Sequence, residues 1–186
     1  RNIRIGLDEL GFRKEALQEW KNEIESPHGI ILVTGPTGCG KTTTLYSSLQ
    51  EMDKKRLNIS TVEDPVEYEL AGITQIQVHE KIDMTFSRAL RALLRQDPDV
   101  VLLGEIRDME TAGVAIQAAM TGHLVLSTLH TNDAPSSLTR LINIGIEPFL
   151  VASAVNAVLA QRLARRVCQK CVQMKSPSKK EEKLLD

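Results

Sequence analysis

Residues 30–44 read Ile-Ile-Leu-Val-Thr-Gly-Pro-Thr-Gly-Cys-Gly-Lys-Thr-Thr-Thr. The run Ile30–Val33 is continuously apolar, as in a strand buried on both faces. Gly35 to Thr42 then fits GxxxxGK[ST] at every fixed position, and a helical pattern runs from Lys41 to about Met52. Glycines let the backbone curl so that consecutive N–H groups face one anion, and the helix N-terminus adds partial positive charge. The candidate nucleotide contacts are Gly35, Pro36, Thr37, Gly38, Cys39, Gly40, Lys41, Thr42 and Thr43. Lys41 is placed to reach the β- and γ-phosphates of a nucleotide, and the Thr42 hydroxyl to ligate Mg²⁺. The alternative is an ordinary strand–turn–helix with a fortuitous glycine pattern, against which motif and context agree. Cys39 reads as a small filler inside the loop. A thiolate at a helix N-terminus would be reactive if exposed, so a redox role is the other reading.

Outward from this loop, apolar and helical stretches alternate. Strands are predicted at 58–63, 73–78, 100–103 and 124–129. Helices are predicted at 8–25, 85–95, 109–120, 133–144 and 149–165. Buried strands alternating with helices imply an α/β fold, a mostly parallel sheet flanked by helices. Ligands of such sheets sit at the carboxyl ends of the strands.

The chain has 186 residues, 23 Lys+Arg and 24 Asp+Glu, a formal charge of −1. That length fits one domain with a real core. The near-zero charge and six aromatic residues argue against a basic, base-stacking nucleic-acid surface. No apolar run approaches the roughly 18–20 residues of a spanning helix. Three cysteines without a signal peptide speak against a secreted disulfide scaffold and for a reducing cytosol. Arg1 in place of Met suggests a fragment.

Acids end two of the strands. Asp99-Val-Val-Leu-Leu-Gly104-Glu105 is an apolar strand followed by a carboxylate one place later than usual. Such an acid holds Mg²⁺ through water or orients the attacking water. Thr61-Val-Glu63-Asp64-Pro65 ends another strand, where Pro65 keeps Asp64 extended and holds Glu63 and Asp64 at a sheet edge. A second acid there is a general-base candidate, with solvated turn acids as the alternative.

His123 and His130 bracket the strand 124–129, seven residues apart, which disfavours a shared metal. His130, at the carboxyl end, is the candidate sensor of the γ-phosphate or of a neighbouring subunit; a structural or solvated histidine is the alternative. Arg88, Arg91 and Arg95 share a helix face, read as a solvated ion-paired face or as charge offered to a neighbour's nucleotide. Arg107, just past Glu105, is better placed for intersubunit or switching work.

Four blocks together resemble the type II secretion and type IV pilus assembly ATPases: GPTGCGKTTT (35–44), TVEDPVE (61–67), RQDPDVVLLGEIRD (95–108) and TGHLVLSTLHTNDA (121–134). In family terms they are Walker A, Asp box, atypical Walker B and His box. The resemblance implies a RecA-like P-loop NTPase domain. It implies Mg-dependent ATP hydrolysis in a homohexamer that drives pilus or pseudopilus assembly or protein secretion. The location implied is cytoplasmic and peripheral at the inner membrane, on platform proteins, without nucleic acid. It also implies roles: Lys41 and Thr42 for Mg-ATP, Glu105 as catalytic glutamate, Glu63 as an acid near the attacking water, His123 and His130 in the His box.

Domain 1–166 is then the ATPase domain of a longer protein. Residues 167–186 are the start of an incomplete subdomain or a tail, because Cys168 and Cys171 resemble the first half of the family's tetracysteine zinc module. Zinc needs four ligands in a closed structural site, so the pair is half of one. The half-motif favours assembly and secretion over pilus retraction. The alternatives are a retraction or type IV secretion ATPase, a nucleic-acid translocase on the same core, and an assembly switch without useful turnover.

Overall fold

The computed structural model describes residues 5–168 and 170–177. In chain order the elements are α1 (Lys14–Ile24), β1 (Gly29–Thr34), α2 (Lys41–Glu51), β2 (Ile59–Glu63), β3 (Thr74–Gln77) and α3 (Phe86–Leu93). They continue with β4 (Val100–Leu103), α4 (Met109–Met120), β5 (Leu124–Leu129), α5 (Ala134–Ile144), α6 (Pro148–Ala154) and β6 (Val155–Ala160). The six strands form one sheet in the order β3-β2-β4-β5-β1-β6, and every pairing is parallel. Gly29 pairs with Leu124, and Thr34 with Leu129. Parallel register brings Glu63, Leu103, Leu129, Thr34 and Ala160 to one edge of the sheet, where the chemistry-bearing residues begin.

The alternation of side chains along a strand explains the continuous apolar runs. Ile30 and Leu32 face a core shared with α3 and α4 residues such as Leu90 and Ala115. Ile31 and Val33 face the opposite core, with Trp20, Leu45, Tyr46 and Leu49. Each such Leu or Ile withdrawn from water contributes about 1.5–3 kcal/mol. The indole of Trp20 also donates to Ser48 Oγ at 2.9 Å, tying α1 to α2. Phe12 stacks on the indole, with ring centroids 6.2 Å apart.

Two predicted helices are corrected. The span 8–25 divides into a 3₁₀ turn at Leu7–Glu9 and α1, because Gly11 takes φ +87, a left-handed value that breaks the helical path. The span 149–165 is α6 followed by β6. Its apolar run carries no period that separates helix from strand, and pairing with β1 decides the second half. The remaining predicted elements agree with the structure to within a few residues. β2 is not an edge strand, since β3 covers its outer side.

Among the described residues, no helix is long and apolar enough to cross a membrane. Beyond β6 residues 161–168 take no regular structure, and Cys168 and Cys171 are exposed thiols.

Candidate functional site

A cleft of about 600 Å³ opens at the carboxyl edge of the sheet. Thr37, Gly38, Gly40, Lys41, Thr42 and Thr43 line one side of it; Glu63, Asp64, Gly104, Glu105, Thr128 and His130 line the other. The four sequence blocks, spread over 100 residues, thus meet in one place.

The loop between β1 and α2 is shaped by glycine. Gly35, Gly38 and Gly40 all have positive φ, at +142, +77 and +89. At Gly35 the requirement is double, since a Cβ would lie 2.4 Å from Gln161 O and 2.7 Å from Cys39 Sγ. Cys39 is 3% exposed and fills the space behind the loop, as the filler reading requires. Gly35, Pro36 and Cys39 do not line the cleft; they shape or back the loop. Helices α3, α4 and α5 have side-chain N-caps from Thr85, Asp108 and Asp133. The N-cap of α2 is Gly40, which, like the caps of α1 and α6, supplies no side-chain bond, and this leaves the first N–H groups of α2 for an anion. Lys41 Nζ folds over the loop and donates to Gly35 O at 2.9 Å and Pro36 O at 3.2 Å. The donor set and the curled backbone fit a polyphosphate. Thr42 lines the same cleft, and a hydroxyl is the kind of oxygen donor that Mg²⁺ takes.

On the opposite wall β4 is pinned at its end. Gly104 N donates to Val62 O and the Thr128 hydroxyl donates to Gly104 O, both at 2.8 Å. A Cβ at 104 would touch Glu63 Cα and Val62 O at 3.4 Å and the Phe86 ring at 3.5 Å. These are ordinary van der Waals contacts. Glu105 accepts from Arg107 Nη2 at 2.5 Å and from His130 Nε2 at 3.1 Å, and its side chain is 13% exposed. Burial alone would raise the Glu105 carboxyl, but the hydrogen bond and charge of Arg107, then those of His130, outweigh it and hold it below the usual carboxylate range. The Arg107 guanidinium is raised in turn, by that hydrogen bond above all.

Glu63 is 3% exposed, and three side chains donate to its carboxylate. It accepts from the Tyr46 hydroxyl, from Thr61 Oγ1 at 2.5 Å and from Gln75 Nε2 at 3.2 Å. Burial, then the hydrogen bond and charge of Glu63, push the Tyr46 phenol well above its ordinary value, so it stays a donor. Asp64 is exposed beside it. His123 and His130 lie at opposite ends of β5, and His123 Nδ1 bonds Ala118 O at 2.9 Å, a structural role. Arg88 pairs with Asp83, and Arg91 with Glu110 at 2.7 Å, so these arginines form an exposed, internally paired face.

Three site residues went unread in the sequence. Tyr46 and Gln75 hold Glu63. Gln161 bonds the phosphate loop from the end of β6. A glutamine directly after an apolar run was the one visible signal for Gln161, and it is silent until the run is known to be a strand beside β1.

The family model described as type II/IV secretion system protein matches residues 1–185. The chain belongs to this family. Among curated relatives, it is 62% identical over 168 residues to the type II secretion system protein HxcR of Pseudomonas aeruginosa, covering 90% of this chain and 36% of that one. It is 56% identical over 170 residues to the type IV pilus assembly ATPase PilB of Myxococcus xanthus, covering 91% of this chain and 30% of that one. The chain thus spans about a third of the length of these relatives. A crystal structure of the pilus retraction motor PilT with bound ADP superposes with a TM-score of 0.77 at 35% identity, covering 87% of this chain and 49% of that one. The six-stranded parallel sheet with its phosphate loop is accordingly the RecA-like P-loop fold of the family's ATPases.

Zinc finds no such support. Two thiols are half a structural site. Among the described residues, no group of three or more His, Cys, Asp or Glu side chains could share a metal.

Proposed function

We propose that this chain is the Mg-dependent ATP-hydrolysing domain of a motor that drives pilus or pseudopilus assembly or protein secretion. The observation that carries the reading is the single cleft in which the phosphate loop faces Glu105 and Glu63. In this reading the loop N–H groups and Lys41 hold the β- and γ-phosphates, and the Thr42 hydroxyl holds Mg²⁺. Bound Mg²⁺ supplies charge neutralisation at the phosphates. Glu105 orients the attacking water and holds the metal through water. Arg107 and His130 fix the carboxylate and keep it ionised. Glu63 stands as the second acid, held rigid by Tyr46, Thr61 and Gln75.

The motor so proposed is a homohexamer, cytoplasmic and peripheral at the inner membrane, seated on platform proteins. Nucleic acid is not the track in this reading, for which the formal charge of −1 and the six aromatic residues speak. Residues 1–166 are the ATPase domain, and Cys168 and Cys171 begin a subdomain that would take Zn²⁺ once two further ligands join them. A retraction or type IV secretion motor is the second reading, favoured by the likeness to PilT. The CxxC favours assembly or secretion instead.

The test is Mg-dependent phosphate release by the full chain, with Lys41→Ala alongside. Multiple turnover that vanishes in the variant supports the reading. Undiminished hydrolysis by the variant removes Lys41 from the site, and single turnover in the assembled protein would favour a switch over a motor.

A further inference from the structure

The phosphate loop is braced from outside by one residue that none of the four sequence blocks contains. Gln161 follows the last residue of β6, the strand beside β1. Its backbone N–H donates to Thr34 O at 2.9 Å, at the entrance of the loop. Its side-chain Nε2 donates to Cys39 O at 2.6 Å, near the exit of the loop. Its Oε1 accepts from the Thr44 hydroxyl at 2.9 Å, in the first turn of α2. One side chain and its own backbone therefore grip the loop at both ends and at the helix that follows.

The amide orientation follows from the partners. A carbonyl oxygen only accepts, so the amide nitrogen must face Cys39, and the amide oxygen is left for the Thr44 hydroxyl. Neither glutamate nor leucine offers that pair of opposite roles. The bond to Cys39 O has a geometric consequence. In a trans peptide the carbonyl and the following N–H point in opposite directions. With Cys39 O turned outward onto Gln161, the N–H of Gly40 is turned the other way, and Gly40 lines the cleft. Gly40 has φ +89 and a conformation that no Cβ restrains, so this peptide needs an outside anchor to hold one orientation.

We propose that Gln161 is a positioning residue of the phosphate site, which sets the direction of the Gly40 N–H through the Cys39 carbonyl and holds α2 in register through Thr44. The proposal rests on the reading of the loop as a nucleotide site. Gln161 itself touches no phosphate; it fixes the donors that do. It is also the first residue after the sheet, so the exposed segment carrying Cys168 and Cys171 leaves the fold at the back of the loop.

The experiment measures binding of mant-ATP with Mg²⁺ to the full chain and to Gln161→Ala and Gln161→Glu, together with thermal unfolding without nucleotide. Gln161→Ala is expected to weaken mant-ATP about tenfold, the scale of one lost hydrogen bond that preorganises a donor. Its nucleotide-free unfolding temperature should fall by no more than about 8 °C, the scale of the two side-chain bonds lost, since the backbone bond to Thr34 remains. Gln161→Glu should bind more weakly than Gln161→Ala at about pH 8, where a carboxylate opposes the Cys39 carbonyl, and recover as pH falls toward about 4.5, the ordinary glutamate range, where protonation restores a donor. Gln161→Ala should not recover. Unchanged affinity in Gln161→Ala overturns the proposal. So does an equal loss in both variants with no pH dependence, or a loss of affinity matched by unfolding, since either makes Gln161 a merely structural residue. If the unaltered chain binds no mant-ATP, the nucleotide reading of the loop fails first, and this outcome is separable from the others by that control alone.

Discussion

Tyr46→Phe removes one hydroxyl from a closed place. Tyr46 is fully buried in α2, and its hydroxyl donates to the Glu63 carboxylate, which is itself 3% exposed. Removing the oxygen changes no packing of consequence, because Phe keeps the ring and its edge-on contact with Tyr68, centroids 4.8 Å apart. The main loss is the donor to Glu63; the hydroxyl also accepts, at longer range, from Glu67 N at 3.4 Å and Gln75 Nε2 at 3.5 Å. Hydrogen bonds to charged groups contribute about 1.5–3 kcal/mol net, and a buried acceptor left short of a partner adds its desolvation cost. Thr61 and Gln75 still donate to Glu63, so the carboxylate is not orphaned, and about 2 kcal/mol is the expected loss. For a domain of this size each kcal/mol lowers Tm by about 2–4 °C, so Tm should fall by about 4–8 °C. The assay is thermal and denaturant unfolding of the unaltered chain, Tyr46→Phe, Glu63→Gln and the double variant. The double-variant cycle should return a coupling of about 1–2 kcal/mol. A Tm shift under about 1 °C, or additive single effects, would refute the view that Glu63 is anchored through Tyr46.

Other outcomes are expected. Lys41→Ala should abolish binding of Mg-ATP, read by calorimetric titration; retained binding moves the phosphates elsewhere. Glu105→Gln should bind Mg-ATP and hydrolyse it at least ~100-fold more slowly, in a steady-state phosphate assay; near-normal turnover shifts the catalytic role to Glu63. Gly35→Ala should cost about 3 kcal/mol or more, since its Cβ would meet Gln161 O at 2.4 Å at a φ of +142; a melt within a degree or so of the unaltered chain contradicts this. The Glu105 carboxyl is held below its ordinary range, so it favours the folded state above the unfolded glutamate value and loses that contribution as pH falls through its lowered folded value. The Tm gap between the unaltered chain and Glu105→Gln should therefore be widest near neutral pH and close in acid; a gap that widens in acid reverses the sign.

The sequence made the parallel sheet legible because strands buried on both faces leave uninterrupted apolar runs such as Ile30–Val33 and Val100–Leu103. It did not reveal β6, because Val155–Ala160 continues the apolar run of α6 and only the neighbouring β1 makes it a strand. The break at Gly11 was equally hidden, since a left-handed residue is a property of the turn and not of the hydrophobic spacing. In the site, Lys41, Thr42 and Glu105 were readable from motif and strand end. What stood behind them was not. Tyr46, Gln75 and Gln161 lie 17, 12 and 122 residues from the groups they hold, and no local pattern encodes such pairings.

Trp20 gives the molecule a property of a different kind. It is the one tryptophan of the chain, and its indole nitrogen is tethered to Ser48, whose hydroxyl in turn donates to Thr44 O. Thr44 is the residue that Gln161 also holds. The emission of a buried indole depends on its hydrogen bond and on the rings around it, so any shift of α2 against α1 changes its intensity or wavelength. The protein therefore carries its own optical gauge of the helix that begins at the phosphate loop, readable in real time without a label.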